Sequence, residues 1–159
     1  FSRTIGSPVT TGDLVIGVNG DGTGKRVLVA VRPDSAKQIP EVVYKLDRVG
    51  PYVPTPLIKG EWLFLWNDQG QLTCAKAATG KVAWTQRIGG GFYGSPICSG
   101  DVLWSISRTG NLIGVNIADG YKPLGTFNLG EPSHATPAVA NGRMYLRTVS
   151  RLICVKASE

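Results

Sequence analysis

Histidine is almost missing from this chain: His134 is the only one. A Ser-His-Asp triad would have to be built on that residue, and nothing around it in the sequence supports one. A histidine-rich metal site is excluded by count. Cysteine is also scarce. Cys74, Cys98 and Cys154 are never adjacent and match no zinc-ligand spacing. Charged residues make up only 18% of the chain, and there is no run of Lys or Arg. The net charge of +6 therefore reads as a solvated basic surface, and no nucleic-acid partner is expected. No transmembrane stretch and no signal peptide is visible. The chain opens at Phe1 instead of Met, which leads us to expect an upstream segment. No ten residues sustain a helical period.

Turn formers, by contrast, are abundant: 21 Gly and 10 Pro in 159 residues, a length that fits one domain. They recur at fixed places. A Ser/Thr-Pro pair followed by an apolar residue and a Gly turn appears at Ser7, Thr55, Ser95 and Thr136, spaced by 48, 40 and 41 residues. A second anchor, Gly70-Gln-Leu-Thr-Cys and Gly110-Asn-Leu-Ile-Gly, follows 15 residues later, with Ser150-Arg-Leu-Ile-Cys at 14. Gly80 and Gly120 mark a third. Proline cannot donate to a ladder, so it suits a strand start or a free edge. The Gly turns supply the positive φ of tight hairpins. WLFLW, VLWSI and MYLRT between them are β-branched or aromatic runs. Four short strands per 40–45 residues is the period of a propeller blade.

The expected fold is thus all-β: four four-stranded antiparallel β-propeller blades at about residues 1–49, 50–88, 89–129 and 130–159, the last lacking its outer strand. Only Phe1–Ile5 could fill that gap, and only if four blades closed on themselves. Residues 19–25 read as a Gly-rich turn inserted in the first copy. A phosphate loop is rejected there, because Asn19 stands at its first Gly and Arg26 at its Ser/Thr. Asn19, Asp21 and Thr23 have calcium-loop spacing, but no distal carboxylate follows. The cysteines read as small buried hydrophobes.

At Thr79-Gly-Lys-Val-Ala-Trp84 the chain resembles the pyrroloquinoline-quinone-like (PQQ-like) β-propeller repeat family. Its blades carry A-x-D-x-x-T-G-K-x-x-W. Thr79, Gly80, Lys81 and Trp84 match, while Cys74 and Lys76 replace the Ala and the Asp. The third copy keeps Gly120, has Asn116 at the Asp position and reads Leu124 in place of the Trp. The resemblance implies blade docking by Thr79, Gly80 and Trp84. Bacterial members of unassigned function share the S/T-P…YLRT…LxC pattern of Thr136–Ala157, which suggests a C-terminal half. Family propellers have seven or eight blades, so a homodimer or association with the missing half of the ring is expected.

Quinoprotein members of the family use a vicinal disulfide, a Trp floor, calcium and an Asp base. This chain has no adjacent cysteines and no assignable carboxylate cluster, so no cofactor is predicted: PQQ and calcium lack motif support. No catalytic residue is assigned. Loops entering the inner strands should meet at one channel mouth, where Arg3, Tyr52, Phe92, Tyr93 and His134 would form an aromatic-basic rim for a protein partner or small ligand. Asp68, Arg108 and Arg151 are expected further out. The implied role is a non-catalytic scaffold or binding module of a periplasmic or secreted bacterial protein. The alternative is the propeller part of a quinoprotein-type dehydrogenase or of a larger propeller-bearing enzyme.

Overall fold

In the structure, a computed structural model, residues 3–21 and 23–156 are described. They form fifteen strands in four antiparallel sheets. Blade 1 holds β1 (Val9–Thr11), β2 (Leu14–Gly20), β3 (Arg26–Arg32) and β4 (Glu41–Asp47). Blade 2 holds β5 (Leu57–Lys59), β6 (Trp62–Trp66), β7 (Gln71–Lys76) and β8 (Val82–Arg87). Blade 3 comprises β9 (Ile97–Ser99), β10 (Val102–Ile106), β11 (Asn111–Asn116) and β12 (Lys122–Asn128). Blade 4 has three strands, β13 (Ala138–Ala140), β14 (Arg143–Arg147) and β15 (Leu152–Lys156). Each sheet runs in chain order from inner to outer strand. The chain divides into two compact units, Phe1–Ile88 with blades 1 and 2 and Gly89–Glu159 with blades 3 and 4.

The turns follow from their residues. Gly12, Gly60, Gly100 and Gly142 close the first hairpin of each blade with φ between +54° and +68°, where a side chain would be strained. Strands β2 and β3 alternate buried and half-buried positions, sending Ile16, Val18, Leu28 and Ala30 into one core with Leu63 and Leu65 of blade 2. In the second unit Ile106, Leu112 and Leu146 join blades 3 and 4.

Within each unit the Ser/Thr-Pro pair makes a joint between blades, a role beyond starting a strand. Ser7 donates its backbone N–H to Thr55 Oγ1 at 3.1 Å, and Ser95 donates to Thr136 Oγ1 at 2.9 Å. The preceding glycines touch the next main chain: a Cβ on Gly6 would lie 2.9 Å from Pro54 O, and one on Gly94 would overlap Ala135 O.

All three complete blades bulge at one equivalent place, between Ala30/Val31, Cys74/Ala75 and Gly114/Val115. This corrects the reading of Leu124. The loop after Gly120 is one residue longer, so Gly125, and not Leu124, lies opposite Gly114, as Trp84 lies opposite Cys74. Leu124 is 45% exposed. The aromatic cover comes instead from Trp104 of β10, whose indole fills the space a Cβ on Gly114 would need.

Several expectations change. Cys74 is buried, but Cys98 is half-buried and Cys154 exposed, because no fourth strand covers β15 among the described residues. Arg3 bridges Gly20 inside blade 1, while Phe1 and Ser2 lie outside the described residues. Asn19 belongs to β2, paired with Val27. Asp21 Oδ1 is engaged by Thr23 N–H, Thr23 Oγ1 and Lys25 N–H, so it closes its own turn.

Candidate functional site

The exposed chemistry of the second unit gathers on one loop cluster. Gly89 and Gly90, both at positive φ, turn the chain out of blade 2's outer strand. Phe92 follows and is fully buried, with Gly90 near its ring. Phe92 therefore belongs to the core and not to the rim: its neighbour Tyr93 takes the outward direction, as alternate residues of an extended segment do. The Arg108 N–H donates to Gly91 O at 2.7 Å, and Ser133 N–H donates to Arg108 O at 3.3 Å. The β10–β11 turn is thereby tied to the loops on either side of it. Ser133, itself buried, donates its hydroxyl to Arg147 O at 2.5 Å and accepts from Ala135 N–H at 3.2 Å. His134 stands exposed between these two anchors.

This scaffold brings three side chains together. The Tyr93 and His134 rings lie 5.4 Å apart with planes at 49°. The Arg108 guanidinium sits 4.4 Å from the Tyr93 ring centroid, a cation–π distance. Tyr93 remains 41% exposed. Beside the trio, Arg151 Nε donates to Glu131 Oε1 at 2.8 Å, and Ser150 and Thr148 hydroxyls donate to the same carboxylate at 2.7 and 2.8 Å. Ser150 and Thr148, with Arg151, pull the Glu131 carboxyl down to about 2. A fixed aromatic face flanked by a guanidinium and an imidazole can stack on a partner's aromatic ring and accept its carboxylates.

The other expected rim residues lie in the first unit. Arg3 bridges Gly20, and the Tyr52 ring would stand 3.0 Å from a Cβ on that same glycine, so both flank one point of β2. Asp68, expected further out, is nearly buried. It takes Arg26 Nη2 at 2.6 Å and the N–H groups of Tyr52 and Val53 at 2.7 and 3.2 Å.

The docking residues separate by role. Thr79 is exposed and its Oγ1 accepts from Lys81 N–H at 3.4 Å, closing the turn. Gly80, at φ +71°, lets Tyr44 of blade 1 approach: a Cβ there would lie 2.5 Å from the ring. The Tyr44 hydroxyl donates to Ala77 O at 2.7 Å. Burial pushes that phenol up to about 12. Trp84 is half-buried, with Phe64 of its own blade 6.2 Å away. Sequence reasoning missed Tyr44, although it lies opposite Ala30 as Trp84 lies opposite Cys74, because the longer loop over 33–40 hides that correspondence.

No group of three or more His, Cys, Asp or Glu side chains that could hold a metal forms among the described residues. Cys74, Cys98 and Cys154 are all free, and no two cysteines are adjacent in the sequence.

Antiparallel blades of this pitch, with the Gly80-Lys81 turn and Trp84 of blade 2, define a PQQ-like repeat propeller. The family described as outer membrane protein assembly factor BamB matches residues 23–123, well over half the chain, and the chain belongs to that family. Among solved structures, BamB from Moraxella catarrhalis is similar over 94% of this chain and 44% of its own, with 18% identity and a TM-score of 0.72. A europium-containing methanol dehydrogenase is similar over 79% of this chain and 26% of its own, at 14% identity and a TM-score of 0.60. The chain thus spans less than half the length of either. No curated protein matches it.

Proposed function

We propose that this chain is a non-catalytic binding or scaffold module of an extracytoplasmic bacterial protein, and that it engages a protein partner through the Tyr93–Arg108–His134 surface. The observation that carries this reading is the half-exposed Tyr93, held between Arg108 and His134 on turns tied by backbone hydrogen bonds. Such rigid aromatic and arginine pairs are what binding hot spots are made of. The extracytoplasmic setting rests on the family's description as an outer membrane assembly factor. Among the described residues, no helix is long and apolar enough to cross a membrane.

Assembly with further blades belongs to the same reading. The face of blade 1 turned away from blade 2 carries Val15, Val27, Val29 and Val31 around a groove of about 290 Å³. An open blade face of this kind needs a covering neighbour. A homodimer or the remainder of a larger ring would supply it, and mass in solution tests this: a stable monomer would overturn it.

The second reading, a dehydrogenase part, draws on the likeness to methanol dehydrogenase, which at 14% identity concerns the fold alone. Titration with PQQ and calcium separates the two. No binding is expected, and a tight 1:1 quinone complex would overturn the scaffold reading. Pull-down from bacterial envelope extract should lose its specific partner with Tyr93→Ala and Arg108→Ala. Retention by both variants would remove this surface from the proposal.

A further inference from the structure

The end of the second unit that holds Tyr93 is unevenly charged. Antiparallel strands place successive turns of a blade at opposite ends. The β10–β11 turn is tied by main-chain bonds to Gly91 and Ser133, and the β14–β15 turn is tied through Val149 N–H to Pro132 O at 3.0 Å. These turns and the loops before β9 and β13 therefore share one end. The β9–β10 and β11–β12 turns lie at the other, and they contain Asp101 and Asp119. The Tyr93 end keeps one described carboxylate, Glu131, against three arginines, Arg108, Arg147 and Arg151, and it carries no lysine.

Glu131 is fully occupied. Its Oε1 accepts from Ser150 Oγ and Arg151 Nε at 2.7 and 2.8 Å, and its Oε2 accepts from Thr148 Oγ1 and Ser150 N–H at 2.8 and 3.1 Å. Four donors fill the lone-pair sites of a carboxylate. Arg151 is thus committed. Arg147 turns back on the main chain, its Nε donating to Thr148 O at 3.1 Å. The Arg108 guanidinium differs: among the described residues no carboxylate or carbonyl engages it, and its contact is the Tyr93 ring, 4.4 Å from the centroid. A ring supplies no oxygen acceptor, so the N–H fork stays open to one. Apolar surface at the same end comes from Tyr93 and from Val149, which is 67% exposed. Tyrosine and arginine without lysine is the composition of protein interfaces, whereas grooves that track phosphates gather lysine and arginine in stripes.

We propose that this surface recognises an acidic segment of a partner polypeptide, with Arg108 as the residue that sets the specificity. A partner Asp or Glu takes the Arg108 fork in a bidentate pair. An aromatic residue next to it packs on Tyr93 and Val149, and the exposed His134 ring flanks that contact. The inference rests on the reading of the Tyr93–Arg108–His134 surface given above and adds the chemistry of its partner.

A random peptide library displayed on phage and selected on the whole protein tests it. The native chain should enrich Asp or Glu beside Phe, Tyr or Trp, and Arg108→Glu should turn the preference to Lys or Arg. A fluorescent copy of the selected peptide should bind Arg108→Lys about tenfold more weakly, because lysine keeps the charge but not the fork. Exchanging the peptide's carboxylate for its amide alters no residue of the protein. That exchange should weaken binding to the native chain by about tenfold or more, and should change binding to Arg108→Gln little. A selected peptide that needs Tyr93 but carries no acidic residue, or that binds equally well as its amide, would overturn this inference and leave the binding surface standing. A peptide indifferent to both Tyr93→Ala and Arg108→Gln, or no enrichment at all, would overturn the surface and the inference together. Tighter binding of a single-stranded oligothymidylate than of the selected peptide would put a nucleic acid in the partner's place and overturn it as well.

Discussion

Replacing Asp68 with Ala should strongly destabilise the first unit. The Asp68 carboxylate takes three donors at once: the Arg26 guanidinium at 2.6 Å and the Tyr52 and Val53 amides at 2.7 and 3.2 Å. It therefore clamps blade 1's third strand to the loop that leads into blade 2. The side chains of Arg26 and Asp68 are only 6% and 11% exposed. Arg26 Nε is buried and has no partner among the described residues, so the charge depends on Asp68 and on Gln69 Oε1 at 3.3 Å. Removing one partner of a buried pair costs about 3–5 kcal/mol, because the other charge stays desolvated. For a chain of this size that is roughly 6–20 °C in melting temperature. Arg26→Met should cost less, about 1–3 kcal/mol, since the carboxylate keeps its two amides. Urea unfolding followed by tryptophan fluorescence measures both. The double variant should be no worse than Asp68→Ala alone, because it removes the orphaned charge. A loss under about 1 kcal/mol for Asp68→Ala, or a double variant far worse than that single one, would refute the clamp.

Three further changes test neighbouring features. Gly80→Ala forces both a strained φ and a clash with Tyr44, so it should lose about 1–3 kcal/mol, read by thermal melting; a neutral result would mean that Tyr44 does not dock there. Trp84→Ala should cost about 2 kcal/mol, below the 3–5 of a core aromatic, because the indole is only half-buried; a cost of about 4 kcal/mol would mean deeper docking. Glu131 titrates far below its ordinary value of 4.5, so its contribution is complete above that pH and is lost as pH falls toward about 2. The stability gap between the native chain and Glu131→Gln should accordingly shrink between pH 5 and pH 2.5 in urea titrations, and a gap that widened on acidification would contradict the assignment.

The blades could be read from the chain because their markers act locally. Proline at strand starts and glycine at φ near +57° in Gly60 and Gly100 do the same job in any surroundings. Side-chain direction in loops has no such marker. Phe92 and Tyr93 are neighbours of similar chemistry, and only the packing around Gly90 decides that the first goes inward. A one-residue length difference was equally invisible: it moved Leu124 to the bulge and left Gly125 opposite Gly114. Tyr44 escaped notice because its partners, Ala77 O and Gly80, lie more than thirty residues away. The pairing of Tyr93 with Arg108 and His134 is likewise a product of three separate loops, tied by main-chain bonds that no residue identity announces.

The Ser–Thr joints at Ser7 and Ser95 have a consequence for how such a chain can change. Each pairs a main-chain donor with a hydroxyl, while a glycine beside it lets one backbone rest on the next. Blade spacing within each unit is therefore gauged by peptide units, whose dimensions never vary. Side chains on either side can be exchanged without altering that gauge. Signature residues can then differ between blades, as they do between blades 2 and 3, while the joint within each unit is kept. Gly6 and Gly94, which carry no chemistry of their own, are thus hard to replace, because any side chain there meets the next main chain.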